Sequence, residues 1–183
     1  MILPLFRRQP DPTIAVLYGA IVAQARRAEF YEAYQVPDTV LGRFDLIVLH
    51  LALLLRRLRE GDGPMKALAQ GVFDAFCLDI DHNLREMGVS EQGVPKQMRR
   101  VGEAFYGRAQ AYDAALAASG EGALAEALVR NVYAEANGSE IAAARLAAYV
   151  RQAAVLLEER PLDHLARGDV RFPEPSTAAQ SAE

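Results

Sequence analysis

The sequence has one cysteine and three histidines, and each scarcity closes off a class of chemistry. Cys77 alone permits no disulfide framework and no thiolate metal cluster. It lies between Phe76 and Leu78, where it reads as a small buried apolar residue. Its neighbours Asp74, Asp79 and Asp81 oppose the electropositive setting that a reactive thiolate needs. Carboxylate-bridged metal sites in helical bundles take a Glu-x-x-His pair from each of two helices. Here only Asp79 with His82 approximates such a pair, and neither His50 nor His164 has an acid three residues before it. His82 reads as an exposed polar-face residue, and His50 as a core or subunit-contact histidine hydrogen-bonded to a neighbour. Serines are few and fall in loops or near the C-terminal end, and no glycine-rich phosphate loop appears. No metal, cofactor or catalytic residue is expected, and nothing positive supports an enzyme.

Strand-like alternation is missing as well, since valine, isoleucine and threonine never alternate with polar residues over a useful length. There is no excess of positive charge. A formal net charge of -4 argues against a chain that holds nucleic acid by neutralising phosphates. The longest apolar stretch, Leu46 to Leu55, is interrupted only by His50 and falls short of the roughly 20 residues that span a bilayer. The opening Met1-Ile2-Leu3-Pro4-Leu5-Phe6-Arg7-Arg8 places apolar residues before the arginines and has no small-residue cleavage site, so it is not read as a signal peptide.

What is present is helix. The chain has 183 residues, 51% apolar and 24% charged, the composition of one globular core. Alanine is dense between Ala114 and Ala154 and favours helix because it loses no side-chain entropy. Asp11 followed by Pro12 marks a first helix running to about Tyr34, with Ile14, Leu17, Ile21 and Ala25 on one face. Asp38 or Thr39 caps a second helix to Glu60, ended by Gly61-Asp62-Gly63. A third opens at Pro64 and closes at Gly88, with Leu68, Val72, Phe73, Phe76, Ile80, Leu84 and Met87 toward the core. A fourth spans Pro95 to Ala118. Two alanine-rich helices follow, Ala123 to Ala136 and Glu140 to Glu159, with Ser139 capping the second, and Pro161 to Ala166 adds a turn. The expected fold is an all-α, single-domain bundle of about six helices over residues 11–166, with an arm over 1–10 and a disordered tail over 167–183.

Three segments carry more than a bundle needs: Val36 to Asp45, Asp79 to Val89 and Phe105 to Tyr112. Two readings of their charges stay open. Asp38, Asp45, Asp74, Asp81, Arg43, Arg85 and Arg108 can form a network between helices, since one guanidinium satisfies several carboxylates. Alternatively they rim an open groove that orients a bound polypeptide while Phe44, Phe105, Tyr106 and Tyr112 give apolar contact. Basic clusters at Arg56, Arg57 and Arg59, and at Lys96, Arg99 and Arg100, read as solvated, dipole-matched surface or as docking surface for an acidic partner.

With those segments in view, the chain resembles the ubiquinol-cytochrome c chaperone family, bacterial relatives of the mitochondrial assembly factor for cytochrome b. The matching residues are Phe30-Tyr31, Val36-Pro37-Asp38-Thr39, Gly42-Arg43-Phe44-Asp45, His50, Phe73 through Asp81, Leu84 through Val89, Val94-Pro95-Lys96, and Phe105-Tyr106-Gly107-Arg108 with Tyr112. The loop Ser90-Glu91-Gln92-Gly93 departs from the pattern. The resemblance implies a non-enzymatic chaperone that binds newly made cytochrome b for the quinol-oxidising complex, in the cytoplasm or peripheral at a bacterial inner membrane. Contact with the ribosome is a further implied partner. The expected client surface comprises Tyr31, Asp38, Arg43, Phe44, Asp45, Asp81, Arg85, Glu86, Lys96, Phe105, Tyr106, Arg108 and Tyr112. The alternatives are a binding module for a small apolar ligand such as a quinone, its head group held by His50 and tyrosines, and a scaffold docked to membrane or ribosome.

Overall fold

A computed structural model describes residues 11–118, 120, 122–134 and 140–175, in which the helices are α1 (Pro12–Ala25), α2 (Ala28–Glu32), α3 (Val40–Arg59), α4 (Gly63–Glu86), α5 (Val94–Ala117), α6 (Gly122–Asn131), α7 (Glu140–Glu159) and α8 (Leu162–Ala166). No strand occurs among the described residues. The bundle is built around α3. A surface helix shows one apolar stripe, but here every residue from Asp45 to Leu55 is buried, because α1, α4, α5 and α7 all pack on it. The apolar stretch Leu46 to Leu55 is therefore the central helix of the domain.

The start of α3 is fixed by local chemistry. Thr39 accepts a hydrogen bond from the Gly42 amide at 3.1 Å, satisfying one of the free amides of the first turn. Gly42 lets the chain double back closely: a Cβ there would lie 2.0 Å from the Pro37 carbonyl oxygen. That obstacle is backbone and has nowhere to move. Gly42→Ala is therefore expected to cost about 1–3 kcal/mol, read as a lowered denaturant midpoint with an unchanged slope.

The chain from Pro12 to Tyr34 is two helices, not the expected one. Arg27 is extended (φ -64°, ψ 134°), with neither glycine nor proline at the break. On a continuous helix Phe30 would sit roughly 180° from Ile21, and Tyr34 roughly 180° from Ala25. The break allows all four to be completely buried.

Helix α4 closes as expected on Gly88, in the left-handed region at φ 83°. The Val89 amide donates to the Leu84 carbonyl and the Gly88 amide to the Arg85 carbonyl, both at 3.0 Å, the pair of hydrogen bonds of a Schellman ending. Its expected core face is corrected at this end. Phe73, Ile80 and Leu84 are only partly covered, and Met87 is 61% exposed. The last turns of α4 run past the body of the bundle, held to α1 by the Tyr18 hydroxyl donating to Asp79 at 2.7 Å.

Helix α6 ends at Asn131, short of the expected Ala136, which with the Ser139 cap lies outside the described residues. So do the arm over 1–10 and residues 176–183. The packed domain does not stop at Ala166. Residues 168–175 lie along the body, with Pro173 and Pro175 buried. Phe172 meets the His50 ring edge-on at 5.1 Å, and Gln24 donates to the Pro173 carbonyl at 2.9 Å. Prolines that would leave a free chain unpacked here supply a preset φ and have no amide to satisfy.

Candidate functional site

The residues singled out in the sequence fall into separate neighbourhoods. The deepest lies between the first turns of α3 and the middle of α5. Asp45 is 2% exposed and Arg108 Nη2 stands 2.9 Å from its Oδ1. The same guanidinium lies 6.0 Å from the centre of the Phe44 ring. Tyr112 is buried beside them, and its hydroxyl has no hydrogen-bond partner among the described residues. Burial, and then the charge of Asp45, raise the Tyr112 pKa, so the phenol stays protonated. This geometry is that of a buried ion pair between helices, the aspartate shielded from water and facing its arginine.

Around the turn before α3 sits a second, exposed group. Arg43 Nε donates to Asp38 at 2.7 Å and its guanidinium lies 5.8 Å from the Tyr31 ring centre. The hydrogen bond from Arg43 holds the Asp38 carboxyl below its ordinary range. Tyr31 is anchored by its hydroxyl, which donates to the Ala25 carbonyl at 2.7 Å.

At the far end of α4, Arg85 joins Asp81 at 2.7 Å and also Glu91 of the following loop. Glu86 lies 3.1 Å from exposed His82, and Lys96 is exposed in the first turn of α5. Nothing in this group is shielded, so its ion pairs contribute little to stability.

The fourth neighbourhood is a groove between α3, α4 and α5, about 170 Å³ in volume and open to solvent. Its apolar wall is Leu55, Ala69, Phe73, Phe105, Tyr106 and Ala109. Phe73 packs against Phe105 at 4.9 Å and Tyr106 at 5.7 Å, leaving Tyr106 64% exposed. The polar rim is Arg59, Lys66 and Gln70. Of the thirteen expected surface residues, only Phe105 and Tyr106 line this groove; Asp38, Arg43, Asp81, Arg85 and Arg108 do not rim it. The sequence reading missed Lys66 and Gln70, and placed Arg59 in a basic cluster with no groove beside it. The signal was Phe73 four residues before Cys77, with Ala69 four residues before it in turn: one helical face carrying an aromatic ring.

His50 belongs to none of these. It is completely buried; its Nδ1 lies 2.8 Å from the Leu46 carbonyl and its Nε2 2.7 Å from the Tyr149 hydroxyl. A carbonyl only accepts, so Nδ1 carries the proton and Nε2 accepts from Tyr149. Gln24 in turn donates to the Tyr149 oxygen at 2.9 Å. Both ring nitrogens are engaged within the protein, which leaves neither for the head group of a quinone. Among the described residues no group of histidine, cysteine, aspartate and glutamate is placed to hold a metal ion. No described helix is long and apolar enough to cross a membrane.

A family model described as ubiquinol-cytochrome C chaperone matches residues 32–172. The chain is similar to the ubiquinol-cytochrome-c reductase complex assembly factor 1 of Xenopus laevis, 27% identical over 63% of this chain. It is also similar to that of Mus musculus, 26% identical over 85% of this chain. It spans 58% and 53% of the length of those two relatives. Among solved structures it is similar to the crystal structure of the Cbp3 homolog from Brucella abortus, with a TM-score of 0.84 and 42% identity over 96% of this chain and 98% of that one.

Proposed function

Since the chain belongs to the ubiquinol-cytochrome c chaperone family, we propose that it binds newly synthesised cytochrome b, without catalysing a reaction, and promotes its entry into the ubiquinol-cytochrome c reductase. The observation that carries this reading is the α3–α4–α5 groove, whose walls include Phe73, Phe105 and Tyr106 of the matched segments. A chaperone for a membrane protein needs accessible apolar surface of limited extent beside charge that keeps it soluble. An open groove with an exposed aromatic edge and a rim of Arg59, Lys66 and Gln70 has those properties. Its shallowness favours release over retention.

The test is to purify the tagged protein from cells making the respiratory complex and probe for co-purifying cytochrome b, with assembled complex assayed in a deletion strain. Recovery of cytochrome b together with loss of the complex supports the reading; absence of both overturns it. Tyr106→Ala is expected to reduce capture about fivefold or more, as for an aromatic contact worth over 1 kcal/mol. Its melting temperature should barely move, because an exposed ring contributes within about 0.5 kcal/mol. Arg85→Ala should also leave the melt in place, its partners Asp81 and Glu91 lying at the surface. Whether it lowers capture decides if the α4 end belongs to the client surface.

A further inference from the structure

The segment Phe172-Pro173-Glu174-Pro175 lies on the body of the bundle in the manner of a bound peptide. Between Arg171 and Pro175 it exchanges no backbone–backbone hydrogen bond with the helices, among the described residues. Side chains of the body reach its backbone instead: Gln24 donates to the Pro173 carbonyl at 2.9 Å and the Tyr34 hydroxyl donates to the Pro175 carbonyl. The Phe172 ring stands edge-on to His50 at 5.1 Å and 90°. Glu174 meets Arg27 at 2.5 Å. Proline-containing segments are recognised elsewhere by aromatic-lined grooves.

Three of these four groups also have a second anchor inside the body. Gln24 is held by the Tyr149 hydroxyl at 2.9 Å, Arg27 by Glu29 at 2.8 Å and His50 by the Leu46 carbonyl at 2.8 Å. Phe30 and Tyr149 rings pack at 4.9 Å beneath them. The surface under the segment is therefore preorganised by contacts that survive its departure, as the floor of a binding groove is.

We propose that the α1–α2–α3–α7 face is a peptide-recognition groove which the chain's own Phe172–Pro175 occupies, and that its exchangeable occupant is a partner segment of the same chemistry: an aromatic residue followed by proline and an acid. The tethered segment acts as a competitor. Its effective concentration, of millimolar order for a short tether, sets the affinity a partner needs to displace it. The groove is separate from the α3–α4–α5 groove, and the proposal stands independently of the client assigned there.

The test uses the full chain and a fluorescent peptide with the sequence of residues 168–175, followed by anisotropy. Phe172→Ala empties the aromatic slot in the tethered segment. That variant, if it melts cooperatively, is expected to bind the peptide about tenfold or more tighter than the unaltered protein, as relief of intramolecular competition requires. A control peptide with its own phenylalanine replaced by alanine should not bind. Equal binding of the peptide to both proteins overturns the proposal. If Phe172→Ala does not fold, Glu174→Lys takes its place, since it alters only the ion pair with Arg27 at the surface. Tighter peptide binding to Glu174→Lys than to the unaltered protein supports the proposal, and equal binding overturns it.

Discussion

Arg108→Ala should unfold with a loss on the order of 3–5 kcal/mol, the range found when one partner of a buried ion pair is removed. The reason lies in Asp45, whose side chain is 3% exposed while Arg108 is 18% exposed. Once the guanidinium is gone, the buried carboxylate loses its ion-pair partner at 2.9 Å, and a buried charge without its counter-charge is costly. Tyr112, whose hydroxyl has no partner among the described residues, would gain a hydrogen-bonding role only by shifting. Equilibrium denaturation of Asp45→Leu, Arg108→Leu and the double variant gives the coupling directly. The double variant should recover much of the loss, because apolar replacement of both members avoids an orphan charge. A single variant within 1 kcal/mol of the unaltered protein would remove Arg108 from the structural network and return it to the binding surface.

Acid should weaken the fold through His50. Burial pushes its pKa down to about 4 from 6.5, and the hydrogen bond to the Leu46 carbonyl only partly opposes this. Between those two pH values the unfolded chain binds a proton that the folded chain refuses. The stabilisation is therefore complete above pH 6.5 and disappears as pH falls through 4, amounting to roughly 3 kcal/mol over the window. Tyr149, whose pKa burial raises, remains a donor to Nε2 throughout. His50→Gln, which keeps a neutral polar group, should flatten the pH dependence in that window. The comparison is of stability differences between the two proteins at each pH, so that surface carboxylates such as Asp38 cancel. A slope unchanged by the substitution would refute the assignment.

How far the sequence reaches depends on how local the cause is. Thr39, Gly42 and the apolar run that follows announce α3, and Gly88 announces the end of α4, because capping involves atoms within six residues of one another. The break at Arg27 is not announced. It exists so that Phe30 and Tyr34 can enter the same core as Ile21 and Ala25, a demand visible only once α3 and α7 are in place. The stretch after Gly168 reads as unpacked for a similar reason: the groups that hold it, Gln24 and Tyr34, are 149 and 141 residues distant. For the candidate surface, residue types were legible and groupings were not. Arg108 reads as an arginine in need of acids, but Asp38, Asp45 and Asp81 are equivalent candidates until the α3–α5 packing selects Asp45. Lys66 and Gln70 carry no signal alone, since a polar residue on the first turns of a helix is ordinary.

The hydrogen bond between His50 and Tyr149 spans 99 residues. A ribosome adding roughly 5–20 residues per second needs on the order of 5–20 s to travel from one to the other. Throughout that interval α3 has emerged with its long apolar run and its histidine, while the helix that covers one side of it does not yet exist. The nascent chain must keep its own central helix from sticking to neighbours until α7 arrives. A protein of the chaperone family is thus, for the first seconds of its existence, itself a chain in need of shelter.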